Sequence, residues 1–149
     1  MAKNDSKSPI RFREAIPDDR DTVTRLWQAC GLTRPWNDPA ADFDAALAGP
    51  SSTVLVGHGP HGLMASIMVG HDGHRGCVYY VSVSTAHRHE GVGRALMVEA
   101  EAWLRARGLA KLNLLVRGDN RHAIGFYEAL GYSVEPNVQL SRRLDADEA

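Results

Sequence analysis

This chain has no apolar run near the roughly 20 residues of a membrane-spanning helix, so no such helix is expected in it. It has almost no net charge. Seventeen basic side chains against 18 acidic ones give no field that would gather nucleic acid or an anionic membrane surface, so a small partner is expected. Cysteine is scarce: Cys30 and Cys77 show no Cys-x-x-Cys spacing, and no secretory leader is expected. Two reduced core thiols in a cytoplasmic protein are the expectation, not a disulfide scaffold. Internal repeats and low-complexity linkers are lacking too. Two familiar phosphate-binding signatures are missing: no lysine follows a glycine-rich loop in the Walker manner, and no Gly-x-Gly-x-x-Gly opens an early βαβ unit.

What is present is one domain's worth of alternating structural signals, as 149 residues allow. Ile10 to Ala15 reads as a strand. Pro17-Asp18-Asp19 opens a helix to about Cys30, with Val23, Leu26, Trp27 and Cys30 at helical spacing and Gly31 as its stop. After the proline-bounded loop Leu32 to Pro39, a short helix runs from about Ala40 to Ala48. Ser52 to His58 and Leu63 to Gly70 form a hairpin, and Val78 to Ser84 continues the sheet. Gly91 to Arg107 is a helix capped by Gly108, Lys111 to Val116 a buried strand, and Asn120 to Leu130 a helix closed by Gly131. Tyr132 to Val134 and Val138 to Leu144 make a last pair of strands. The order implies an α+β domain over 10–144 with a mixed sheet, between a polar tail at 1–9 and an acidic tail at 145–149. The helix between the strands at Val78 and Lys111 is a crossover, so those two strands should be parallel.

The most informative stretch is Arg88-His89-Glu90-Gly91-Val92-Gly93-Arg94-Ala95, an Arg-x-x-Gly-x-Gly turn from a β-branched strand into a long helix. Gly91 and Gly93 let the backbone approach a ligand closely. The turn's free N–H groups open the helix at its positive end, where a phosphate or pyrophosphate fits, and Arg88 and Arg94 flank it. Together with Asn120 and Phe126-Tyr127-Glu128-Ala129-Leu130-Gly131-Tyr132, in this order and spacing, the chain resembles the GCN5-related N-acetyltransferases (GNAT) over nearly its whole length. Through Leu32-Thr33-Arg34-Pro35-Trp36-Asn37-Asp38-Pro39 and Gly70-His71-Asp72-Gly73-His74-Arg75-Gly76 it looks like the YpeA-like bacterial branch.

The resemblance implies a mostly antiparallel central sheet of six to seven strands flanked by about four helices, with a parallel pair splayed at a bulge. It implies acetyl-CoA as acetyl donor, with backbone amides of His89, Glu90, Gly91, Val92, Gly93 and Arg94 on its pyrophosphate and main-chain atoms of Val81 and Val83 on its pantetheine arm. Tyr127 lies seven positions after Asn120, close to two helical turns, so the two share a face. In the family the matching tyrosine protonates the departing thiolate; packing beside Phe126 and Leu130 is the alternative. Asn120 is a helix N-cap candidate or a pantetheine contact. The glutamate that some relatives carry as general base is replaced by Leu115, leaving Asp72, His74, Asp38 or a water chain. His71-Asp72-Gly73-His74 has a ligand-like spacing but no clear third ligand, so a solvated hairpin turn is expected and no metal. Arg34, Trp36, Asn37 and Asp38, with Asp72 and His74, form the expected acceptor site for a small-molecule amine or a peptide, in a monomer or homodimer. The rival reading is a CoA-binding regulatory module that has lost turnover; a weaker one is an unrelated phosphate-binding domain.

Overall fold

A computed structural model of the chain describes residues 10–145, so the expected tail at 1–9 and all of 145–149 but Asp145 lie outside the described residues. The chain divides into two compact units with the boundary between Leu114 and Leu115.

The first unit is a five-stranded sheet, β1 (Arg11–Glu14), β2 (Ser52–Gly59), β3 (Gly62–His71), β4 (Gly76–Val83) and β5 (Leu112–Asn113), in that spatial order. The first three pairings are antiparallel and β4 with β5 is parallel, as a helical crossover requires. Helix α1 (Arg20–Ala29) follows a 3₁₀ turn at Pro17–Asp19, where Asp19 accepts from the Ile16 N–H at 2.8 Å and grips Arg13 at 2.8 and 2.9 Å. Helix α2 (Pro39–Ala48) starts at Asp38, whose carboxylate accepts from the N–H groups of Ala40 and Ala41. Val23 and Trp27 of α1 and Phe43 and Ala46 of α2 bury against Val54 and Val56 of β2. Helix α3 (Val92–Ala106) lays Leu96, Met97, Ala100 and Leu104 against the sheet. It comes so near β4 that a Cβ on Gly76 would stand 2.5 Å from a Leu104 methyl.

Two irregularities shape the unit. Met68 of β3 is opposite Tyr79 of β4, yet Ser66 is opposite Ser82, so β4 holds one residue more than its partner between these pairs. Tyr80 sits in this bulge at φ +52°, a left-handed conformation uncommon for a residue with a side chain. The second irregularity is the shortness of β5. Only Gly76 with Leu112 and Cys77 with Asn113 are paired, after which the ladder stops and Val78 to Val83 have no parallel partner among the described residues.

In the second unit, helix α4 (Arg121–Ala129) is capped by the Asn120 side chain, which accepts from the Ala123 N–H at 3.1 Å. It ends in a Schellman turn: Gly131 at φ +98° donates to Glu128 O, and Tyr132 donates to Tyr127 O, both at 3.0 Å.

Among the described residues the structure corrects the expected strand count from six or seven to five. The strand expected over Lys111 to Val116 shrinks to Leu112–Asn113, because only these two residues find partners on the β4 edge. The expected strands at Tyr132 to Val134 and Val138 to Leu144 form no ladder among the described residues, and Val134, Val138, Leu140 and Leu144 are exposed. Apolar residues interleaved with polar ones supply only a tendency; a strand exists when a partner edge takes its hydrogen bonds.

Candidate active site

The chain between β4 and α3 prepares a row of donors. After a 3₁₀ turn at Thr85–His87, His89 and Gly91 both adopt positive φ, +66° and +78°, and Gly91 becomes the N-cap of α3. Gly91 offers no side chain to cap the helix, and its added Cβ would meet open space, so glycine is required there by backbone conformation. The first helical bond runs from the Ala95 N–H to Gly91 O. Among the described residues, no hydrogen bond engages the N–H groups of Val92, Gly93 or Arg94. These three donors sit at the positive end of a helix of 15 residues, with the exposed side chains of Arg88 and Arg94 on either side. Glu90, also exposed, faces His87 at 3.5 Å. The arrangement is suited to an anion with several oxygens.

Beside this turn, the far part of β4 is the segment freed from β5. Val83 lies in the β3 ladder opposite Ala65, and its carbonyl accepts from Cys30 Sγ at 3.3 Å; Val81 falls within the bulge. Burial pushes the Cys77 thiol upward, which keeps it protonated and a poor nucleophile at neutral pH.

A cleft of about 570 Å³ opens between α2 and the strands, lined by Leu32, Asn37, Asp42, Met68, Tyr79 and Tyr80 among others. Tyr80 Oη donates to Asp42 Oδ2 at 2.7 Å, and its ring stacks on Trp27 with centroids 4.0 Å apart and planes 8° from parallel. Burial, and then the Asp42 carboxylate, push the Tyr80 phenol far above its ordinary value, so it remains a donor.

The residues expected at the acceptor site separate. Asn37 lines the cleft, while Arg34, Trp36 and Asp38 do not. Arg34 donates to the carbonyls of Gly31 and Thr33 and pins its own loop, Asp38 caps α2, and Trp36 is 61% exposed. Asp72 and His74 lie in the β3–β4 turn, where Asp72 Oδ1 accepts from the N–H groups of His74 and Arg75 at 2.8 Å. Those bonds hold the Asp72 carboxyl below its usual range, making it a weaker base. His71 Nδ1 accepts from the Gly73 N–H, so the ligand-like spacing is spent on a turn. No group of three metal-ligating side chains occurs among the described residues.

In the second unit Tyr127 is half-buried against Phe126 and Tyr132, with ring centroids 5.0 and 5.8 Å away. Tyr127 and Tyr132 are the pair that a Schellman turn brings together, so packing accounts for the ring. It does not account for the hydroxyl, which makes no described hydrogen bond. Burial raises its pKa and keeps the proton in place.

Sequence reasoning missed Asp42, Tyr79 and Tyr80. Asp42 one turn after Asp38 was a legible signal. The two tyrosines were hidden because adjacent strand residues are expected on opposite faces, and only the bulge lets both reach one cleft.

The sequence profile of the acetyltransferase (GNAT) family matches residues 14–132. An acetyltransferase of Yersinia pestis (strain Pestoides F) is 41% identical over 131 residues, 88% of this chain and 93% of that protein. One of Sodalis glossinidius is 42% identical over 132 residues, with 88% and 93% covered. Among solved structures, the aminoglycoside N-acetyltransferase AAC(6')-Iy in complex with CoA superposes with a TM-score of 0.80 at 14% identity, over 94% of this chain and 98% of that one.

Proposed function

Since the chain belongs to the acetyltransferase (GNAT) family and is an acyltransferase, we propose that it transfers the acetyl group of acetyl-CoA directly to an amine in a ternary complex. The observation that carries this reading is the row of unengaged N–H groups from Val92 to Arg94, between Arg88 and Arg94 and next to a strand edge released from its parallel partner. That loop, with His89, Glu90, Gly91 and Gly93, is the proposed pyrophosphate cradle. Main-chain atoms of Val81 and Val83 are the proposed partners of the pantetheine arm, with Asn120 as a further contact beyond its capping role. We read residues 10–144 as one functional domain, which suits a family match spanning both units.

In the proposed reaction the neutral amine attacks the thioester carbonyl; a C–N bond forms, the nitrogen releases its extra proton to solvent, the C–S bond breaks, and the thiolate leaves. Tyr127 donates a hydrogen bond and then a proton to that sulfur. A thiol of pKa roughly 8.5 departs more readily when a phenol of reference pKa about 10 stabilises the developing charge. No covalent acetyl-enzyme is needed, because Cys77 is held as a thiol and Cys30 is committed to the Val83 carbonyl. Arg34, Trp36, Asn37 and Asp38, with Asp72 and His74, remain the proposed rim of the acceptor site, though Asp38 and Asp72 would act there while also serving their backbone bonds.

Initial rates of thiol release, measured across a panel of amine, amino-acid and peptide acceptors, test the proposal. Intersecting double-reciprocal patterns are expected, and the Cys30→Ala and Cys77→Ala variants should stay active. Leu115, standing where some relatives carry glutamate, favours one competing reading, a CoA-binding regulatory module. Tight acetyl-CoA binding with only slow hydrolysis across the whole panel would establish it.

A further inference from the structure

We propose that the cleft between α2 and the strands β2 to β4 receives an organic ammonium ion on an apolar stem, and that Asp42 is the carboxylate selecting its charge. The proposal rests on the acetyltransferase reading only for calling that ion the acceptor.

The cleft's volume, about 570 Å³, lies in the range of small-molecule sites. Leu32 and Met68 give it an apolar wall, Tyr79 and Tyr80 an aromatic one, and Asp42 is the one charged side chain among the described residues lining it. Ser52, also on the wall, spends its hydroxyl on the Ala46 carbonyl at 2.9 Å. Elsewhere on α2, Asp44 is matched by Arg20 at 3.1 Å, but no described ion pair includes Asp42. Its described side-chain partner is the Tyr80 hydroxyl on Oδ2, a neutral donor that orients the carboxylate without neutralising it. Oδ1 is left to a further donor. A half-buried carboxylate that shares a cleft with two tyrosines is poorly served by water alone, whereas a cation gains from the charge and from contact with an aromatic wall. An anion would be repelled, and a neutral alcohol would gain only a hydrogen bond.

The site is also held in place before any ligand arrives. Trp27, fully buried, stacks on Tyr80 from the core side, and the β4 bulge brings Tyr79 to the same cleft. A rigid ring and a fixed carboxylate lose little freedom on binding.

Isothermal titration of the full chain with n-pentylammonium, 1-pentanol and pentanoate tests the inference without requiring turnover. Pentylammonium should bind about tenfold or more tighter than pentanol, a charge-assisted contact against a neutral one, and pentanoate should bind weakest. Asp42→Asn keeps an acceptor for the Tyr80 hydroxyl and deletes the charge; it should abolish the preference for ammonium and leave pentanol unchanged. Asp44→Asn removes the same charge from the same helix outside the cleft and should change nothing. Should Asp42→Asn not melt cooperatively, Asp42→Ser serves in its place. An ammonium preference that survives loss of the Asp42 charge, or that Asp44→Asn reduces equally, overturns the proposal. Acetyl-CoA titrated into the same samples separates the two readings: failure of wild-type protein to bind it removes the acetyltransferase mechanism, while the ammonium preference is decided by its own titration.

Discussion

At the scale of single residues, two tyrosines carry distinct expectations. Tyr127→Phe keeps the ring contacts with Phe126 and Tyr132 and deletes a hydroxyl that has no described hydrogen bond. Stability and acetyl-CoA affinity should therefore hold, while turnover falls by roughly 10²- to 10⁴-fold, the usual contribution of a positioned acid. Thiol release with an accepted amine measures it, and normal turnover with reduced stability would make Tyr127 a packing residue. Tyr80 leads to a pH dependence. Its folded-state pKa is raised by burial and by Asp42, so the protonated phenol is favoured in the native protein. That contribution is fully present below the unfolded-state value of about 10 and is lost as pH rises toward the folded one. Urea midpoints should decline above about pH 10 and decline less in Tyr80→Phe, which retains the stack on Trp27. Equal decline in both proteins would show that other groups govern alkaline unfolding.

At the scale of elements, the turn into α3 and the seat of α3 on β4 have opposite tolerances. Gly93 lies inside the first turn of a regular helix, where glutamate is the better helix former by roughly half a kcal/mol. Gly93→Glu should leave the melting temperature unchanged or higher yet remove measurable CoA binding, because a negative side chain enters the proposed pyrophosphate cradle. Titration with CoA decides it; unchanged affinity would remove the cradle from this turn. Gly76 offers no such freedom. Its added methyl would press on Leu104, itself buried, so Gly76→Ala should cost about 1–3 kcal/mol in urea unfolding. A neutral Gly76→Ala would mean that α3 can slide on the sheet.

At the scale of the whole molecule, binding and stability are linked by mass action. If acetyl-CoA is the donor, saturating it at about a hundred times its dissociation constant should stabilise the protein by about 2.7 kcal/mol. Thermal melts across a concentration series would read this as a rising midpoint. A midpoint indifferent to acetyl-CoA but raised by another nucleotide would point to a different phosphate ligand. The chain's near-zero net charge makes a comparable response to nucleic acid unexpected.

The sequence by itself determined the order of the elements as far as α4, the parallel crossover and the glycine turn into α3, because each is written in local chemistry. Proline and aspartate open helices, Gly31, Gly108 and Gly131 end them at positive φ, and Gly91 takes the left-handed conformation that starts α3. Asn120 as an N-cap was equally legible. Only the tertiary structure decided which tendencies became strands. Lys111 to Val116, Tyr132 to Val134 and Val138 to Leu144 were all expected as strands, yet a ladder depends on an edge supplied by distant chain, and among the described residues only Leu112 and Asn113 of these found one. The β4 bulge turned Tyr79 and Tyr80 toward one cleft against the two-residue period of a strand. The pairing of Tyr80 with Asp42, 38 positions away, followed from that turn, and no local pattern encodes it.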